Sequence, residues 1–127
     1  MSDAPDTGAT APRLRLRIVF GEDAMLGPGK ADLLEGIRET GSIAAAGRRM
    51  GMSYKRAWNL VETMNTAFCD PLVISSRGGA KGGGAALTET GETVLMHYRK
   101  LQEITAEAGA ARISALHALL ADRSDGK

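Results

Sequence analysis

The chain has one cysteine, Cys69, among its 127 residues, so no internal disulfide can form and a reducing compartment is implied. Aromatic side chains make up only 4% of it, which leaves the core to aliphatic residues, alanine and methionine. No apolar run approaches the ~20 residues of a membrane-spanning helix and no signal-peptide core opens the chain. A cytoplasmic protein with no membrane partner is therefore expected. The two histidines, His97 and His117, stand twenty residues apart, and neither has a cysteine or carboxylate at a ligand spacing, so no metal site is expected. There is no nucleophile–base triad and no pair of catalytic carboxylates. Cys69, beside Asp70 and Pro71, reads as a small apolar residue at a helix end rather than a nucleophile. The chain is not expected to be an enzyme.

What the sequence does have is glycine and a local excess of positive charge. In SRGGAKGGGAALTETG, residues 76 to 91, five glycines surround Arg77 and Lys81. The spacing fits neither a phosphate-binding G-x-x-x-x-G-K-[ST] loop nor a dinucleotide-binding G-x-G-x-x-G turn. The glycines instead separate two short apolar runs, Leu72-Val73-Ile74 and Ala85-Ala86-Leu87, as at the tip of a β-hairpin. A net charge of +1 hides an uneven distribution: residues 42–84 carry +4, residues 1–41 carry −2 and residues 85–127 carry −1. A basic middle third is placed to neutralise phosphates.

Read from its start, the chain opens with a polar segment, residues 1–12, expected to be a disordered tail. Leu14, Leu16, Ile18 and Phe20 then alternate with other residues at the period of a half-buried strand. After Gly27-Pro28-Gly29, residues 30–40 predict a helix with Leu33, Leu34 and Ile37 inward, stopped by Gly41. Two helices follow. Ser42 is placed to cap the first and Gly51 to end it in a left-handed conformation. Ser53 is placed to cap the second, which runs to about Phe68 with Ala57, Leu60, Val61, Met64 and Phe68 on its core face. Two helices joined by a short turn, the second with a cationic start, predict a helix-turn-helix, and the hairpin after it a wing. The fold class expected is mainly α with a small β-hairpin wing: a winged helix-turn-helix over 13–87, a long helix over 88–121 and a disordered tail at 122–127.

In that frame Lys55 and Arg56 are placed to meet base edges or phosphates, and Asn59 to pair with adenine. Ser53 and Tyr54 are candidates for phosphate, and core packing is the safer reading for Trp58. Ser42, Arg48 and Arg49 are candidate DNA contacts on the preceding helix, the arginines reaching backbone rather than bases. Arg77 and Lys81 on the wing are candidates for phosphate or the minor groove.

SYKRAWNLVETMN, followed by GGAKGGGAALTETG, resembles the N-terminal DNA-binding domain of the ModE family of molybdate-responsive transcriptional regulators, and more distantly the LysR-type winged helix. The resemblance runs from about Leu14 to Leu120. It implies operator binding by a homodimer, with the second helix of the motif in the major groove and the wing over the adjacent backbone. Regulators of that kind carry molybdate-binding domains after this part, and the sequence stops at Lys127 before one could begin. No cofactor is expected, molybdate included, in this chain alone.

The helix predicted over 88–121 is longer than a winged domain needs. Val94, Leu101, Ala108 and Ala115 recur every seven residues, with Ile104, Ala111 and Ala118 at complementary positions. Gly109 marks a bend ahead of a segment carrying Leu116 and Leu120 that is placed to pair with a partner. A homodimer on palindromic double-stranded DNA is the first expectation. The alternatives are an interaction module that heterodimerises with a full-length regulator, and a single-domain oxyanion sensor using the glycine tip or the dimer seam.

Overall fold

The computed structural model describes residues 11–22, 24–76 and 84–121, with the backbone alone at Ser76. The glycine tip with Arg77 and Lys81, the segment before residue 11 and the tail from residue 122 lie outside the described residues. Among those described, the order of elements is β1 (Ile18–Val19), β2 (Met25–Leu26), α1 (Pro28–Thr40), α2 (Ile43–Arg49), α3 (Tyr54–Ala67), β3 (Val73–Ser76), β4 (Gly84–Leu87), α4 (Glu89–Ala108) and α5 (Ala110–Ala118).

The strand expected over Leu14 to Phe20 shrinks to two paired residues. β1 and β2 are antiparallel, with Ile18 opposite Leu26 and Val19 opposite Met25. Gly21, at φ 88°, turns the chain immediately after Phe20 and leaves the alternation no longer partner. Leu16 and Ile18 are half-buried as the pattern requires, whereas Leu14 and Phe20 are exposed. Phe20 leans edge-on against Phe68, ring centres 6.2 Å apart.

α1 starts two residues earlier than the sequence suggests because Pro28, whose missing N–H costs nothing in the first turn, opens it. Its Leu33, Leu34 and Ile37 are fully buried. Gly41, at φ 74°, closes it by donating its N–H to Ile37 O at 2.8 Å. Ser42 Oγ accepts the Ala45 N–H at 3.0 Å and starts α2. Gly51, at φ 73°, follows its C-terminus, and Ser53 Oγ accepts the Arg56 N–H at 3.1 Å to start α3. Ala57, Val61 and Met64 of α3 are buried, with Leu60 and Phe68 half-buried beside them.

β3 and β4 pair antiparallel, Val73 opposite Leu87 and Ser76 opposite Gly84, so the two apolar runs do form a hairpin. The Ala85 N–H donates to Gly41 O at 2.9 Å, which ties the hairpin to the turn between α1 and α2. Thr88 then caps α4, its Oγ1 accepting the Gly91 N–H at 2.9 Å while its own N–H donates to Leu72 O. Gly91 is required there. A Cβ on it would overlap the Leu72 carbonyl oxygen and stand 3.0 Å from the carbonyl carbon.

The chain divides into two compact units, one spanning Arg15–Lys100 and the other formed by the residues before and after it. The first unit holds the buried core, from Leu26 through Met64 and Leu72 to Leu95 and Tyr98. Tyr98 is 1% exposed and its hydroxyl donates to Leu16 O, pinning the start of the unit to α4. Arg99 binds Asp32 at 3.0 Å and Glu35 at 2.9 Å, fastening α4 to α1. In the second unit Gly109 interrupts the helix, separating the end of α4 from α5. No described helix is long and apolar enough to cross a membrane.

Candidate nucleic-acid interface

The helix-turn-helix depends on two close crossings. The sites where Cβ atoms would stand on Gly36 and Gly47 are 3.0 Å from Ala46 Cβ and 2.9 Å from Ala57 Cβ, so α2 is held tightly between α1 and α3. This packing buries Ala57 and turns the other side of α3 outward. Tyr54, Lys55, Arg56 and Asn59 are all exposed there, on the first turn and a half of the helix. With the Ser53 cap supplying the first acceptor, the N-terminal end of α3 presents two cations and a carboxamide together. Such a set can meet phosphates and base edges at once.

Tyr54 and Trp58 meet edge-to-face, ring centres 6.2 Å apart. Trp58 is half-buried against the core, as the safer reading held, but it also lines an open cleft of about 340 Å³ with Ser42, Tyr54 and Ser75. The cleft brings the start of α2, the exposed end of α3 and the hairpin onto one surface. The hairpin is aimed by a residue that local pattern does not reveal. Asn65 Oδ1 accepts the N–H groups of Leu72 and Val73 at 2.8 and 3.1 Å, and its Nδ2 donates to Val73 O at 3.0 Å. The carboxamide thus behaves as a short length of strand and fixes β3 against α3.

The expected backbone-contacting arginines of α2 part company. Arg48 is exposed and has no carboxylate partner among the described residues, whereas Arg49 is paired with Glu39 of α1 at 2.7 Å. Arg49 lines a pocket with Asp32 and Glu35, apart from the exposed face of α3. Arg77 and Lys81 lie outside the described residues.

The residues expected at a dimer seam also divide. Val94 is half-buried against its own core. Leu101, Ile104, Leu116 and Leu120 are 39%, 51%, 65% and 68% exposed, and Ala108, Ala111 and Ala115 are exposed with them. Cys69 is exposed, its Sγ 3.7 Å from Asp70 Oδ2, not an apolar filler at the helix end. Among the described residues no three His, Cys, Asp or Glu side chains are grouped to hold a metal ion.

Comparison with known proteins gives a consistent picture. Over 90 residues the chain is 42% identical to the molybdenum-pterin-binding protein MopB of Rhodobacter capsulatus, an alignment covering 71% of this chain and 32% of MopB. It is 37% identical over 107 residues to the molybdenum transport protein ModE of Azotobacter vinelandii, covering 83% and 39%. It is 37% identical over 81 residues to the DNA-binding transcriptional dual regulator ModE of Escherichia coli K12, covering 64% and 31%. The chain spans about a third of the length of these curated relatives. Its fold is similar to that in the CbnR_DBD–DNA complex, with a TM-score of 0.55 at 19% identity over 69% of this chain and 95% of that one. No protein-family model matches the chain.

Proposed function

We propose, on the premise that the chain is a homologue of the ModE family across its winged helix-turn-helix, that it is a sequence-specific DNA-binding transcriptional regulator and not an enzyme. The observation that carries this reading is the first turn and a half of α3, where Lys55, Arg56 and Asn59 stand exposed on one rigid, capped helix. α3 enters the major groove, Lys55 and Arg56 reading guanine or holding phosphate and Asn59 pairing with adenine. The hairpin, aimed by Asn65, lies over the adjacent backbone, and Arg77 and Lys81 are its candidate phosphate contacts. The names of the relatives, a molybdenum transport protein and a DNA-binding transcriptional dual regulator, support a role in regulating genes of molybdenum handling.

The exposed apolar residues of the second unit, Leu101, Ile104, Leu116 and Leu120, support pairing with a second copy. Two recognition helices would then read half-sites one helical turn apart on a palindromic duplex. The same surface supports the second reading, in which the chain pairs with a longer regulator.

The test is fluorescence anisotropy on the protein's own upstream DNA and on scrambled DNA across a salt series, with Lys55→Ala/Arg56→Ala alongside. Tight, sequence-selective binding that the double variant loses supports the direct regulator. Equal weak binding to both duplexes, unchanged in the variant, contradicts it. Sedimentation of the free protein distinguishes a homodimer from a monomer awaiting another partner.

A further inference from the structure

Arg17, Lys30 and Arg56 come from three separate parts of the sequence and line one open cavity of about 270 Å³ at the first turn of α1. Arg17 reaches it from the segment just before β1, its Cγ lying 3.7 Å from where a Cβ would stand on Gly27. Lys30 stands in the first turn of α1, half-buried, and its Nζ donates one hydrogen to Met25 O at 3.0 Å. An ammonium has three donors, so the remaining two are available to a ligand. Arg56 reaches the cavity from the first turn of α3.

The three cations share this cavity with no carboxylate among its lining residues. No ion pair among the described residues joins a carboxylate to Arg17, Lys30 or Arg56. Burial, and after it the charge of Arg17, holds the Lys30 ammonium below the usual lysine pKa. The first turn of α1 carries no acidic residue, and its N-cap, Gly27, offers no side-chain acceptor. Its opening N–H groups and its dipole therefore add to the same positive field. That field suits an anion.

We propose that Arg17, Lys30 and Arg56 form a site for a tetrahedral oxyanion of the phosphate type. That chemistry has two sources, a DNA backbone phosphate and free inorganic phosphate. The DNA source rests on the function proposed above and extends its footprint. Arg56 and Leu60, on the wall of this cavity, lie about 200° around α3 from Tyr54 and Trp58, which face the hairpin cleft. The recognition helix would then be flanked by backbone contacts on both sides: the hairpin on one, Arg17 and Lys30 on the other.

Two measurements on the full chain test the site. In the first, inorganic phosphate is titrated against chloride at matched ionic strength while the Gly29 and Lys30 amide resonances are followed, in the wild type and in Arg17→Gln/Lys30→Gln. Saturable shifts that need phosphate and vanish in the variant are expected for a free-anion site. The second compares the salt dependence of duplex binding. The variant should weaken binding by the same factor on upstream and scrambled DNA and make the log–log salt slope shallower by about 1–2. Phosphate shifts with an unchanged slope assign the site to a free anion, and a shallower slope without phosphate shifts assigns it to DNA. If the phosphate shifts and the change in slope are both absent, the proposal is overturned. If the wild type binds no duplex at all, the DNA-binding reading fails and the phosphate titration, which needs no variant on the wild-type arm, decides the site by itself.

Discussion

The crossing of α2 and α3 decides where the recognition helix points, and Gly47→Ala perturbs it directly. A Cβ at Gly47 would stand 2.9 Å from Ala57 Cβ, which is buried and has no rotamer to retreat into. Carbon atoms pack at about 3.5–4.0 Å, so the helices must separate by roughly 1 Å. Overpacking of this kind costs about 1–3 kcal/mol. The substitution also gains about 1 kcal/mol of helix propensity, leaving the variant between about neutral and 2 kcal/mol less stable. In an Ala57→Gly background the overlap is gone and only the gain remains. Gly47→Ala should therefore stabilise that background by about 1 kcal/mol, a coupling of about 1–3 kcal/mol between the two positions. Urea unfolding of the four proteins measures it, each ~1 kcal/mol also appearing as a shift of roughly 4–8 °C in Tm. If Gly47→Ala stabilises the wild type as much as the Ala57→Gly protein, the helices have room to spare and the close-crossing argument is wrong. Duplex affinity should fall with Gly47→Ala and recover in the double variant, since the same 1 Å moves Lys55, Arg56 and Asn59.

Asn65→Ala removes three hydrogen bonds to β3, each worth about 1 kcal/mol. It should lower stability by about 2–3 kcal/mol and speed amide exchange at Leu72 and Val73. Gly91→Ala places a methyl against the Leu72 carbonyl and should cost at least about 3 kcal/mol, visible as loss of most of the cooperative melt. Burial raises the Tyr98 pKa, with Arg99 opposing and Asp32 assisting. In the window above pH ~10 the folded chain keeps a proton that the unfolded chain has released, so stability falls as pH rises through it. Tyr98→Phe should flatten that alkaline slope, and at neutral pH should cost about 1 kcal/mol for the lost bond to Leu16 O. An unchanged alkaline slope would contradict the assignment.

How much of this was readable beforehand depends on the range of each interaction. Ser42 and Ser53 as caps, Gly41 as a stop and Gly51 as a left-handed stop, follow from rules spanning three or four residues, and all four stand where pattern put them. The inward faces of α1 and α3 followed from helical periodicity in the same way. The first strand did not, because a strand needs a partner and β2 offers only two residues. The Arg49–Glu39 pair was hidden because its partners sit ten residues apart on different helices. Asn65 reads as an ordinary polar residue on a helix until β3 is brought beside it. Arg17, Lys30 and Arg56 look unrelated in sequence, and only the packing of the segment before β1, α1 and α3 gathers them. The exposed face of α3 was the most legible part of the candidate site because it belongs to a single element.

The most direct test of the central claim, that α3 reads the major groove of a duplex, is methylation interference at guanine N7 and adenine N3 on a site selected from the upstream DNA. N7 lies in the major groove and N3 in the minor, so the two modifications separate the grooves. Binding should be blocked by N7 methylation in two patches about 10 base pairs apart, one for each α3 of a dimer, with the effect weakened in Arg56→Ala. Interference confined to adenine N3, or none at either atom, would mean that α3 does not enter the major groove.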